Sequence, residues 1–204
     1  MKNTPLILAA ASALLLAACQ STPNYGAPPL PPGSSAVQPP PPAPSQPAPL
    51  VGTAGKLTRA GVGRYMDGLE ANLRGTLRGQ PVFVIRRGED MLVVLPDSAL
   101  FAGKDLGPSG SALLASIAAV LRYYDRTLLQ VNGYTDTLGN DVQNLTISQD
   151  RAKLVMQALV GDGLAASRLE AHGFGATNLR FATGPDKAEP RNRRIELHIV
   201  PRPD

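Results

Sequence analysis

Residues 20–50 set the first limit on what this chain can fold into. Pro23, Pro28, Pro29, Pro31, Pro32, Pro39 through Pro42, Pro44, Pro47 and Pro49 all lie there, more than half of the 20 prolines in the chain. The stretch holds no Asp, Glu, Lys or Arg. Proline fixes φ and removes the amide donor, so neither a helix nor a central strand fits. Extended polyproline II is the expected state, and some thirty residues at about 3.1 Å each reach on the order of 90 Å. The stretch reads as a passive spacer. Roughly 150 residues beyond it suffice for one domain with its own core. Every charged residue except Lys2 lies from Lys56 onward, where 19 basic residues face 16 acidic ones. That balance, with few aromatics and no basic run, gives no support to a nucleic-acid partner.

The front of the chain has another logic. Lys2 precedes an apolar run from Leu6 to Leu16, and Ala17-Ala18 lead to Cys19, the single cysteine. A charged start, a short apolar run and a small-residue exit read as a secretory signal over 1–18. The run is shorter than the ~20 residues that a spanning helix needs. Cysteine directly after small residues resembles the lipobox of bacterial lipoproteins, which implies acylation of Cys19 and cleavage before it. Several acyl chains anchor durably where one does not. Gln20, rather than Asp, favours the outer membrane, with the folded part in the periplasm. The expected organisation is 1–18 signal, 19–55 lipidated cysteine and tether, 56–90 helix and hairpin lead-in, and 91–204 the main domain.

Hydrophobic spacing supplies the elements. Val62, Tyr65, Met66, Leu69, Leu73 and Leu77 recur at helical intervals within 57–79. Val82–Ile85 and Met91–Leu95 flank Gly88-Glu89-Asp90 and read as a hairpin. Helices follow over 108–124, opened by Pro108 or Ser109, and over 140–161, where Asn140 and Gln143 suit a capping box. Strands are expected at 128–133, 169–175 and 194–200. The alternation implies crossover connections and a layered α/β (α+β) domain of βαβαββ order.

Asn132-Gly133-Tyr134-Thr135-Asp136 leaves a buried strand for a turn. Asn144, Ser148, Arg151 and Ala152 follow on the second helix, then Gly173-Phe174-Gly175 and Asn192-Arg193-Arg194-Ile195-Glu196. In this order and spacing they resemble the OmpA C-terminal family, the peptidoglycan-associating module also found in Pal-type lipoproteins and flagellar stator proteins. The match runs from about residue 93 to 200 and implies helices packed on a mixed sheet. The proline-rich front and Tyr65-Met66-Asp67 look similar to the YiaD-type lipoproteins. Three departures stand out: Tyr134 where the family prefers His, Ala102 after Phe101 where many members carry Asp, and Ala188-Glu189 where Gly-Arg is usual.

The residues carry a chemistry of their own. Arg151 lies about ten residues into its helix, roughly 15 Å from the start. The five-residue link from Asp136 to Asp141 can span about 17 Å. The chain can thus run out and return, setting Arg151 beside Asp136 at the end of a strand, a common place for ligands in α/β sheets. Such a pair suits an ammonium and a carboxylate on one carbon. Asp136 accepts from the ammonium, and Arg151 grips the carboxylate with two parallel donors. The free end of meso-diaminopimelate in a peptidoglycan stem peptide is that group, and the family resemblance implies the same ligand. Around it, Phe101 is expected to wall the apolar stem, Thr135 to offer its hydroxyl or amide, Asn144 to share the edge with Arg151, and Arg193 to orient Asp136. Asn192 reads as a residue that satisfies backbone, Ser148 as a partner of helix backbone, and Arg194 and Glu196 as a solvated face.

Catalysis fits less well. His172 and His198 are the only histidines, with no serine–carboxylate constellation and no metal-ligand spacing around them. No enzyme activity, cofactor or metal is expected. Two other readings stand beside the binding module: a wall glycan hydrolase using Asp136 and Asp141, and an interaction lipoprotein whose 57–79 helix meets envelope protein partners.

Overall fold

The computed structural model describes residues 56–204. The signal, Cys19 and the proline-rich tether lie outside the described residues. Helix α1 covers Val62–Thr76, shorter than the expected 57–79 because a 3-10 turn, Arg59–Gly61, takes its first residues. The hairpin follows as β1 (Phe83–Arg87) and β2 (Asp90–Pro96), then α2 (Asp97–Leu100) and a two-residue pair, β3 (Phe101–Ala102) and β4 (Asp105–Leu106). Next come α3 (Pro108–Tyr123), β5 (Thr127–Tyr134), α4 (Asp141–Gly161), β6 (Leu169–Gly173) and β7 (Arg194–Pro201). Pro108 takes the first turn of α3, where its missing amide costs nothing. Asn140 caps α4, its side chain accepting from the Gln143 amide at 2.9 Å.

The main sheet runs β1-β2-β7-β5-β6. Only β5 and β6 are parallel, and α4 is the crossover between them. The layered α/β arrangement is the one expected from the spacing, and the mixed sheet the one implied by the resemblance. Met91, Val93 and Leu95 of β2, Leu129 and Val131 of β5, and Ile195, Leu197 and Ile199 of β7 enter one continuous core with α1, α3 and α4. Period-2 alternation places these residues on one face of the sheet. β1 and β2 pair along their length and β2 pairs with β7, so residues 56–90 share this sheet and core with the rest.

Two glycines set how close α4 lies to the sheet. A Cβ on Gly133 would come within 2.2 Å of the Ser148 carbonyl oxygen, and one on Gly173 within 2.4 Å of the Gln149 nitrogen. The α4 backbone therefore rests directly on the ends of β5 and β6. Ser148 locks the contact: its Oγ donates to the Leu145 carbonyl at 2.9 Å and accepts from the Gly175 amide at 2.9 Å. β6 stops at Gly173, short of the expected 175, because Gly175 turns to φ +55°.

The strand registers gather chain ends. Pro96, Arg194 and Tyr134 stand side by side across β2, β7 and β5, and Gly173 of β6 stands beside Gly133. Asp97, Arg193, Thr135, Asp136 and Phe174 thus emerge from one edge of the sheet. The described chain begins at the other edge. There Leu57 donates its amide to the Asp204 carboxylate at 2.8 Å and accepts from the Asp204 amide at 3.1 Å. Thr127 and Pro201 pair at that same end.

Candidate functional site

The turn after β5 is held through backbone. Thr135 donates its amide to the Gly175 carbonyl at 2.8 Å. Asp136, 4% exposed, accepts from the Leu138 amide at 3.4 Å and from the Glu189 amide at 3.0 Å. Asn144 is buried and donates to the Leu138 carbonyl at 3.1 Å. Its observed contact thus shapes the Asp136 turn from below.

The charges pair differently from the expectation. Arg151 was to face Asp136; instead its Nη1 lies 2.8 Å from Asp97 Oδ1, and Arg193 Nη1 lies 3.6 Å from Asp136 Oδ2. The reason is topological. Asp97 is the first residue beyond β2, and its amide donates to the Arg193 carbonyl at 3.0 Å. This places its carboxylate against Arg151 and within electrostatic reach of Arg193. Burial raises the Asp97 carboxyl above its usual range, while Arg151 and Arg193 pull it down and Asp136 pushes it up. Two carboxylates and two guanidinium groups therefore share one neighbourhood at the sheet edge. Phe101 lies beneath Arg151, with the guanidinium carbon 5.1 Å from the ring centre.

Two polar atoms here are buried without a partner: Thr135 Oγ1 and Arg193 Nε. Such atoms are few in folded proteins and ask for a reason. Beside the site opens a cleft of about 690 Å³ between the start of α4 and the 174–177 and 185–186 loops. Thr137, Leu145 and Phe174 are in its walls; Asp136 and Arg151 are not.

Of the expected site residues, Arg151 stacks over Phe101 and pairs with Asp97, which sequence reasoning missed, while Asp136, next to Thr135 in the chain, pairs with Arg193. The signal for Asp97 was present: an acid directly after the apolar run Met91–Leu95 and Pro96, at the strand end that faces Asp136. The Ala188-Glu189 departure acts through its backbone. The Glu189 amide reaches Asp136, while its carboxylate turns to Arg191, whose hydrogen bonds lower the Glu189 carboxyl to about 2.

The expectation of a solvated face at Arg194 and Glu196 is corrected. Arg194 is 4% exposed and stacks over Tyr134 at 4.0 Å. It donates to Glu196 at 2.7 Å and to the carbonyls of Asn178 and Asn192, because the 174–193 loop folds over this end of the sheet. Tyr134 in turn stacks on Phe174 at 5.2 Å. Asn192 satisfies backbone as expected, accepting from the Arg180 and Phe181 amides and donating to the Phe181 carbonyl. Both histidines touch an acid: His172 lies 3.3 Å from Glu170, and His198 3.1 Å from Asp90. Among the described residues no group of His, Cys, Asp or Glu is arranged to hold a metal ion.

Comparison with known proteins adds an independent line. Residues 101–193 match the family model described as OmpA family. The chain is 37% identical over 143 residues to the probable lipoprotein YiaD of Escherichia coli, covering 69% of this chain and 65% of that protein. It is 30% identical over 97 residues to the peptidoglycan-binding protein ArfA of Mycobacterium tuberculosis, covering 48% of this chain and 30% of that one. The solved cell wall anchor of the T6SS from Pseudomonas aeruginosa superposes with a TM-score of 0.56 at 25% identity, over 65% of this chain and 96% of that one. The chain thus spans about two thirds of YiaD and under a third of ArfA.

Proposed function

We propose, from the match of residues 101–193 to the OmpA family model, that the chain is a non-catalytic lipoprotein that ties the outer membrane to the cell wall. Its domain binds the diaminopimelate end of the peptidoglycan stem peptide. The observation that carries this reading is the pairing of Asp97 with Arg151 and of Asp136 with Arg193, together with the buried, unpartnered Thr135 Oγ1 and Arg193 Nε. A zwitterion carries both charges that such a cluster complements, on one carbon. Asp136 takes the ammonium, Arg151 and Arg193 take the carboxylate, and Phe101 lies along the apolar stem.

The placement of the two ends supports a tether. Leu57 is bound at the Thr127–Pro201 end of the sheet, and the charged cluster lies at the Tyr134–Arg194 end. Eight residues of strand at about 3.3 Å each separate them by roughly 25 Å. Cys19 and the proline-rich segment precede Leu57 in the chain, so in this proposal the tether joins the domain at the first end and the wall is bound at the second. The names of relatives agree in kind, one a lipoprotein and one a peptidoglycan-binding protein.

The test is retention on purified wall. Residues 56–204 should sediment with diaminopimelate-type sacculi and much less with lysine-type sacculi, whose stem amine lacks the adjoining carboxylate. Equal recovery with both would remove the zwitterion from the account. Released muropeptides would show hydrolysis and overturn the non-catalytic role.

A further inference from the structure

Asp97 holds the residue that is to hold the ligand. Its carboxylate lies 2.8 Å from Arg151, and the two side chains are 20% and 19% exposed. Both ends of this contact are fixed. The Asp97 amide is bound to the Arg193 carbonyl, and α4 is pressed onto the sheet through Gly133 and Gly173. The free protein therefore carries a carboxylate of its own where a ligand carboxylate is to bind. Asp136, the second carboxylate of the cluster, is near enough to repel it.

Building on the proposed diaminopimelate site, we infer that Asp97 sets its specificity by occupying Arg151 until a ligand brings an ammonium beside its carboxylate. A lone carboxylate that takes the Arg151 fork strands Asp97, half-buried and next to Asp136. Two such negative charges without a cation are costly. A zwitterion solves this, because its ammonium enters between Asp97 and Asp136 as its carboxylate meets Arg151 and Arg193. The other carboxylates of a stem peptide have no such ammonium and are rejected. Discrimination comes from a penalty on the wrong ligand as much as from contacts to the right one.

Two probes isolate this effect. Meso-diaminopimelate and pimelate share a seven-carbon chain and two terminal carboxylates, and only the first carries amines. Each is titrated by NMR into residues 56–204, which hold the continuous core, and into Asp97→Asn and Asp97→Ser. The wild type should prefer diaminopimelate. Both variants should bind pimelate at least tenfold more tightly than the wild type does and narrow the preference by at least tenfold. An unchanged preference, or equal weakening of both probes, overturns the role of Asp97 while leaving the site intact. Failure of the wild type to bind diaminopimelate overturns the site and this inference together. Urea unfolding of the two variants shows that any change belongs to the site and not to lost structure.

Discussion

The backbone of α4 at Ser148 sits so close to Gly133 that a Cβ on the glycine would lie 2.2 Å from the Ser148 carbonyl oxygen. Neither partner can yield easily, since both are main chain where α4 crosses the end of β5. Gly133→Ala should therefore destabilise the domain by about 3 kcal/mol or more. Gly75, in α1 with open space around it, is the matched control. Gly75→Ala should be neutral or stabilise by up to ~1 kcal/mol. Urea midpoints of the two variants check both. A small loss in Gly133→Ala would mean that helix and strand are less tightly docked than described.

Asn192 is fully buried and satisfies three backbone groups of Arg180 and Phe181. Asn192→Ala leaves those groups without partners, and a loss of about 2–3 kcal/mol is expected. Asn192→Asp keeps the acceptor for the two amides but places a carboxylate oxygen against the Phe181 carbonyl, so it should rescue only part. Chemical unfolding of both variants measures the difference.

Tyr65 links α1 to the start of β5, its hydroxyl accepting from the Arg126 amide at 2.9 Å. Burial pushes the phenol from its ordinary 10.0 up to about 12. The folded state keeps the proton longer than the unfolded state, so stability is unaffected below about pH 10 and falls between pH 10 and 12. Unfolding free energies across that range should decline in the wild type. The decline should be shallower in Tyr65→Phe, which starts lower for want of the hydrogen bond.

Asp97 gives a slope in acid. Its carboxyl is raised above 3.8 by burial, more than Arg151 and Arg193 offset. The folded state binds the proton more tightly, so this group lowers stability as pH rises from the unfolded value of 3.8 through the folded one. Asp97→Asn should remove that slope and be at least as stable as the wild type at neutral pH. A residue that lowers stability while holding a ligand-binding arginine follows the expected conflict between function and stability. A marked loss of melting temperature in Asp97→Asn at pH 7 would contradict this.

Much of the fold was readable because its period is plain. The 3.6-residue stripe of Leu113, Leu114, Ile117 and Leu121 and the alternation of Ile195, Leu197 and Ile199 each allow one reading. Asn140 announced the start of α4 through its side chain. The site was readable as a set of residues and less so as a set of pairs. Asp136 and Arg151 lie in one continuous motif, whereas Asp97 comes from a strand end 54 residues before Arg151 and joins them only through the β2–β7 register. Arg194 misled because strand alternation puts it on the outer face, and nothing local says that the 174–193 loop folds over it. Long-range cover of that kind leaves no periodic trace.

The central claim is that the opposite charges at this sheet edge grip the zwitterionic end of a stem peptide. The most direct measurement is the binding of a diaminopimelate-containing muropeptide to residues 56–204, to Asp136→Ala and to Arg151→Ala, each shown to be folded. The account predicts saturable binding by the wild type and at least a tenfold loss in each variant. Wild-type affinity retained by both variants would contradict it.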